Sequence, residues 1–212
     1  MNELKEGENS SAGKDVLVIV AHPDDETIWM GGTILRHNDI RWTIISLCRS
    51  EDKDRAPKFN KVCNILQAKG VISDLDDEIL EPLENKNVIN KILSLLPKKE
   101  YNYVYTHGEN GEYGHIRHIE VHRAVLQMVK NRQILCHKLL FFNYKTGVNI
   151  PFPNLTPPKS IENSDSDLII HLTDEELEKK KHIVQDIYGY PNENGFELAS
   201  CNKIETFKEF KW

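Results

Sequence analysis

Residues 16–20 read Val-Leu-Val-Ile-Val, and the six that follow, Ala-His-Pro-Asp-Asp-Glu (21–26), carry three carboxylates and an imidazole. An uninterrupted apolar run has no polar face to offer to water, so it reads as a strand buried on both sides, as in a parallel sheet covered by helices. Residues 42–48 (WTIISLC) have the same continuous apolar character, and further strands are expected at 101–107, 138–144 and 167–172. Between these runs, amphipathic segments predict helices at about 25–38, 56–69, 87–96, 118–131 and 174–188. Such alternation predicts an α/β fold, with a Rossmann-like, mostly parallel sheet flanked by helices in a single domain.

Length and composition agree with that architecture. A chain of 212 residues with 39% apolar and 28% charged side chains can bury one sizeable core. Residues 1–14 are polar and read as a flexible leader, which leaves 15–212 as the folded domain. The proline-rich segment 145–166 reads as a surface excursion within that domain. A net charge of -6 gives no basic footprint for nucleic acid, and none is expected as a partner. Cys48, Cys63, Cys136 and Cys201 are widely separated and form no C-x-x-C pair, so reduced thiols are expected. The first residues contain no signal-peptide-like apolar stretch, and no run approaches the ~18 apolar residues of a membrane span, so the expected location is the cytoplasm.

In open α/β sheets, ligands bind beyond the carboxyl ends of the strands. That rule places the charge of residues 21–26 in a crevice rather than in the core. His22 and Asp25 are three apart, a separation that brings two side chains together around a turn entering a helix, whereas Asp24 points elsewhere. A second cluster, THGENGEYGHIRH (106–118), follows the strand expected at 101–107, and His115 and His118 repeat the same spacing. His22, Asp25 and one of these two histidines make a three-ligand His-Asp-His set that keeps a coordination position open, as catalytic sites do. Zinc suits such ligands best, and Fe2+, Co2+ or Mn2+ fit the same set. Zinc lowers the pKa of a bound water from about 9 to about 7, and Asp24 is placed to accept its proton. The remaining histidine is then available to stabilise an oxyanion or to protonate a leaving amine. A different pairing, His118 with His122 at i, i+4, lacks the glutamate that follows the first histidine in helical zinc hydrolases. His107 and His122 read as supporting residues, Glu112 and Tyr113 as pocket lining or a plain turn. Arg49, Arg55 and Lys58 belong to a mixed-charge loop.

The string AHPDDE, the pair Gly31-Gly32 and the later GEYGHIRH together resemble the LmbE-like/PIG-L family of metal-dependent N-acetylglucosaminyl deacetylases, over roughly residues 15–188. The resemblance implies zinc-dependent hydrolysis of the N-acetyl amide of an N-acetylglucosamine-type sugar or conjugate. It implies that His22, Asp25 and His118 hold the metal, that Asp24 is the general base, and that His115 is the oxyanion or acid group. Arg55 resembles a substrate-contacting arginine of the family, and Asp77 is expected on the same wall. Homo-oligomers occur in the family. One departure stands out: the family's second motif reads His-x-Asp-His, and this chain has Arg117 in place of the aspartate. By like-charge repulsion, an arginine there is expected to disfavour a protonated His115. The same departure motivates a competing expectation, a member that keeps the pocket and has lost turnover. A nucleotide-binding reading finds no G-x-G-x-x-G or P-loop string after a strand.

Overall fold

The computed structural model describes residues 13–146, 160–190 and 195–212. In chain order the elements are β1 (Asp15–Val20), α1 (Asp25–Arg36), β2 (Arg41–Ser46), α2 (Arg55–Ile65), β3 (Lys69–Ile72) and α3 (Asn85–Leu95). The chain continues with β4 (Glu100–Thr106), the single turn α4 (Gly111–Gly114), α5 (Ile116–Lys130), β5 (Leu135–Phe142), β6 (Tyr144–Thr146) and β7 (Ser160–Glu162). Last come β8 (Leu168–His171), α6 (Asp174–His182) with a wide turn over Ile183–Ile187, the single turn α7 (Phe196–Ala199), and β9 (Ile204–Glu209).

One seven-stranded sheet, in the order β3-β2-β1-β4-β5-β9-β8, carries the fold. The first five strands are parallel, and β9 and β8 join antiparallel at one edge. The continuous apolar run of β1 is buried on both faces, as its sequence required. Val16, Val18 and Val20 enter a core with Ile28, Trp29, Phe59 and Val184, while Leu17, Ile19 and Ala21 enter a second core with Ile92, Val121 and Val125. The chain crosses from β1 outward to β2 and β3, then returns to place β4 on the other side of β1. This reversal opens a crevice at the carboxyl ends of β1 and β4, the position at which α/β sheets bind ligands.

The five expected helices appear as α1, α2, α3, α5 and α6, and four strands were not foreseen, β3 and β9 in the large sheet and the short pair β6 and β7. The helix expected over 56–69 stops at Ile65; Gln67 turns the chain at a positive φ, and residues 69–72 pair with β2 as an edge strand. The strand β9 hides in the sequence because its second residue is Glu205, a carboxylate with no solvent exposure. Of the leader expected over 1–14, residues 1–12 lie outside the described residues; Gly13 and Lys14 bond through their backbones to Asp39 and Arg41. The expected excursion over 145–166 lies largely outside them as well, and its described ends pair as β6 and β7.

Helix α1 is not straight: Met30 has non-helical angles (φ -148°, ψ 17°) just before the two glycines. Helical amides freed by a kink need other acceptors. Glu205 supplies them, accepting from Gly32 N at 2.9 Å, Thr33 N at 2.7 Å and Thr33 Oγ1 at 2.6 Å, with buried Lys180 Nζ at 2.8 Å balancing its charge. Gly32 is required for packing, since a Cβ there would stand 2.3 Å from Leu172 Cδ2.

Candidate metal centre at the switch point

The turn after β1 is built by its own side chains. Asp25 Oδ2 accepts the backbone N–H of His22 at 2.8 Å, and Asp25 Oδ1 accepts Trp29 Nε1 at 3.0 Å. Asp24, the residue before α1, is held at φ 120°, a strained value for a residue with a Cβ. The buried carboxylate of Glu26 supports that backbone by accepting Asp24 N at 3.1 Å, while its other oxygen accepts Thr27 and Tyr188 hydroxyls at 2.6 and 2.8 Å. Pro23 therefore precedes the helix instead of lying in its first turn. Among the described residues, six non-glycines have a positive φ, and Asp24, Arg49 and Glu112 all stand at this site.

Three candidate ligand atoms face one another across the crevice. His22 Nδ1 is 3.2 Å from His118 Nε2 and 3.3 Å from Asp25 Oδ2, and His118 Nε2 is 3.4 Å from Asp25 Oδ2. Tetrahedral coordination at zinc bond lengths of about 2.0–2.1 Å separates neighbouring ligand atoms by about 3.3 Å. The triangle therefore fits such an ion without rearrangement. Each imidazole is oriented by a carboxylate on its far side, the arrangement that fixes the tautomer of metal-binding histidines. His118 Nδ1 lies 2.6 Å from Glu112 Oε2, which leaves the Nε2 lone pair for a metal. His22 Nε2 lies 3.0 Å from Asp77 Oδ1, a contact not aligned as a well-directed hydrogen bond. Asp77 Oδ2 is held by Arg49 at 2.6 Å. Asp77, expected on a substrate wall, lines the same cleft as Arg55 and also stands beside His22 Nε2.

Related groupings of the same side chains also cluster closely enough to hold an ion, namely Asp25 with His107 and His118, and His22 with His115 and His118. His107 is committed elsewhere. Its Nε2 accepts the Ala21 N–H at 2.9 Å, its Nδ1 lies 2.9 Å from Glu112 Oε2, and its ring stacks on His118 at 3.9 Å. His122 Nδ1 bonds the His107 carbonyl at 2.9 Å, which makes both histidines supports.

Charges follow from this geometry. In the metal-free protein, burial opposes the charge on His22, but Asp25 and Asp77 outweigh it and hold its pKa up at about 10. A divalent ion would take over the role of that proton, so binding releases it. Burial, and next the charge of Asp25, push the Asp24 carboxyl up to about 8, against Arg55 and Tyr190. Both of these donors reach Asp24 Oδ2: Arg55 Nη1 at 3.2 Å and the Tyr190 hydroxyl through a short bond, with the Arg55 guanidinium stacked on the Tyr190 ring. Tyr190 was not singled out from the sequence. It lies 166 residues from Asp24 in a segment with no motif, so nothing local marked it.

His115 caps α5 by accepting Arg117 N at 3.3 Å through Nδ1, which places its proton on Nε2. Burial, then His118 and His22, lower its pKa to about 3. The expected repulsion from Arg117 is not the cause, because that guanidinium points away and bonds Asp76, Glu81 and Glu120. The cleft over the triangle has a volume of about 320 Å³ and is lined in part by Asp24, Arg55, His115, Tyr113, Phe196 and Glu197. A larger groove of about 680 Å³ opens between Tyr101, Lys130, Ile134, Phe210 and Trp212. It contains none of the triangle residues; donor chemistry rather than volume distinguishes the site.

Residues 17–129 match the PIG-L family, described as GlcNAc-PI de-N-acetylase, and this is more than half of the 212 residues. The chain belongs to the PIG-L family. Membership brings deacetylase-type hydrolysis into view, and the matched region contains every member of the triangle. A curated relative of this PIG-L protein is the uncharacterized protein L374 of Acanthamoeba polyphaga mimivirus, 29% identical over 127 residues. That alignment spans 52% of this chain and 56% of the relative. Among solved structures, a teicoplanin-biosynthesis deacetylase bound to teicoplanin superposes with a TM-score of 0.58 at 9% identity, covering 93% of this chain and all of that one. The 4-carboxy-2-hydroxymuconate hydratase GalB of Pseudomonas putida KT2440 has a TM-score of 0.57 at 14% identity, covering 94% of this chain and 97% of that one. The PIG-L fold is thus shared by a deacetylase and a hydratase, and the fold alone does not select the reaction. Among the described residues, no helix is long and apolar enough to cross a membrane.

Proposed function

We propose that this PIG-L protein is a zinc-dependent hydrolase that removes the acetyl group from an N-acetylglucosamine-type sugar or sugar conjugate. The observation that carries the reading is the His22–Asp25–His118 triangle, with edges of 3.2, 3.3 and 3.4 Å beside an independently anchored Asp24. His22, Asp25 and His118 would hold zinc there, and the ion would supply Lewis-acid polarisation and lower the pKa of water. Asp24 is the general base: Arg55 and Tyr190 occupy Oδ2, so Oδ1 takes the proton of the attacking water and returns it to the leaving amine. His115, neutral with its proton on Nε2, donates a hydrogen bond to the developing oxyanion instead of transferring a proton. Aromatic faces from Tyr113 and Phe196 and polar groups from Arg55 and Glu197 suit a sugar ring with its hydroxyls. The protein works on a small molecule in the cytoplasm.

The test combines metal analysis of purified protein with amine release from a panel of N-acetylated amino sugars. Stoichiometric metal and turnover of at least one substrate are expected. His22→Ala should lose the metal, while Asp24→Asn should keep it and lose roughly 10²- to 10⁴-fold in activity. A fully active Asp24→Asn protein overturns the mechanism. Bound metal without turnover of any panel member would favour a ligand-binding protein that has lost catalysis.

A further inference from the structure

We infer that Arg117 is a positioning residue for His22, acting through the 76–83 loop and Asp77; the inference rests on the metal reading proposed above. Arg117 has no solvent exposure, and its guanidinium bonds one loop and its neighbour on α5. Nε donates to Asp76 O at 2.6 Å, Nη2 to Asp76 Oδ2 at 3.0 Å, and Nη1 to Glu81 O and Glu120 Oε2, both at 2.8 Å. Glu120 completes the clamp by accepting Leu83 N at 2.7 Å. The segment between β3 and α3 contains no helix or strand of its own; Ser73 and Leu75 bond through their backbones to Ser46 and Leu47, and beyond Leu75 the bonds from Arg117 and Glu120 hold residues 76, 81 and 83.

The next residue, Asp77, presents Oδ1 to His22 Nε2 at 3.0 Å and Oδ2 to Arg49. That contact lacks the alignment of a hydrogen bond, and such contacts weaken steeply with angle, so its strength depends on where the loop holds Asp77. Arg117 and His118 are consecutive on α5 and project about 100° apart around the helix. One helical turn therefore aims His118 at the triangle from one side and, through Arg117, fixes the carboxylate that orients His22 on the other. The arginine of His-Ile-Arg-His thus orients a metal ligand from the rear, and its guanidinium does not act on His115.

The experiment measures zinc affinity by competition with a chromophoric chelator for the wild type, Arg117→Met, Asp77→Asn and the double variant, with folding checked by circular dichroism. Removing a residue that orients a metal ligand weakens binding by about 10- to 100-fold, and each single variant should fall at or above the lower end of that range. If Arg117 works through Asp77, the double variant binds zinc no more weakly than Asp77→Asn alone. Wild-type affinity in Arg117→Met, or a double variant whose loss is the product of the two single losses, overturns the inference while leaving the metal reading intact. Failure of the wild type to bind zinc rejects the metal reading itself, and this inference with it. Should Arg117→Met not fold, Arg117→Lys runs the same cycle, because lysine keeps the charge but cannot hold several loop acceptors at once.

Discussion

At the scale of single residues, the carboxylates behind the histidines matter as much as the ligands. Glu112 Oε2 receives both His107 and His118, and Oε1 accepts Gly108 N at 2.7 Å. A glutamine there cannot accept from both imidazoles with one amide oxygen and keep the Gly108 bond. Glu112→Gln is expected to lower zinc affinity by about 10- to 100-fold, read by chelator competition, with the fold retained. Spacing brought His22 and Asp25 together within one turn and left His115 and His118 as alternatives for the third corner, a choice that only the family resemblance made. Glu112 was legible only as a turn or pocket residue, since its role depends on a positive φ and on two imidazoles brought over it by the fold. Asp77 was legible as a wall residue, and what spacing alone did not reveal is its added contact with His22.

At the scale of elements, α1 and α6 are coupled by a pair that pH can switch. Arg36 Nη2 lies 2.6 Å from Glu176 Oε2, and Glu176 also completes a capping box with Thr173 at the start of α6. The hydrogen bond from Arg36 pulls the Glu176 pKa from 4.5 down to about 2. A folded-state pKa below the unfolded one gives stability that is present above pH 4.5 and lost as pH falls through about 2. Glu176→Gln retains a capping-box acceptor and removes the charge. It should therefore cost of order 1 kcal/mol at neutral pH, a difference that thermal melts should show shrinking to nothing at acid pH. The helices were visible because their apolar period survives in sequence. The edge strand β3 and the inner strand β9 were not: one follows a helix after only a few residues, and the other carries its stabilising charge where a strand pattern calls for an apolar side chain.

At the scale of the whole molecule, Glu205 joins the antiparallel edge of the sheet to the helix that begins at the site. Glu205 and Lys180 are both fully buried, so removing one leaves the other charge without compensation. Glu205→Gln is expected to destabilise the protein by about 3–5 kcal/mol in urea unfolding, and adding Lys180→Met should restore much of that loss. The α/β class and the crevice at β1 and β4 were readable from alternating elements and strand ends. This long-range tie was not, because a sequence pattern does not reveal which acceptor a kinked helix will recruit.

That tie also sets a condition on when the site can exist. The amide of Gly32 finds its acceptor 173 residues further along the chain. A fragment covering residues 17–129 would carry His22, Asp24, Asp25 and His118, yet it would lack the carboxylate that completes α1 as well as the tyrosine that holds Asp24. During synthesis, the ligands emerge long before the residues that hold them in place. Competence arrives with β9, and a chain interrupted earlier has its chemistry spelled out but not assembled.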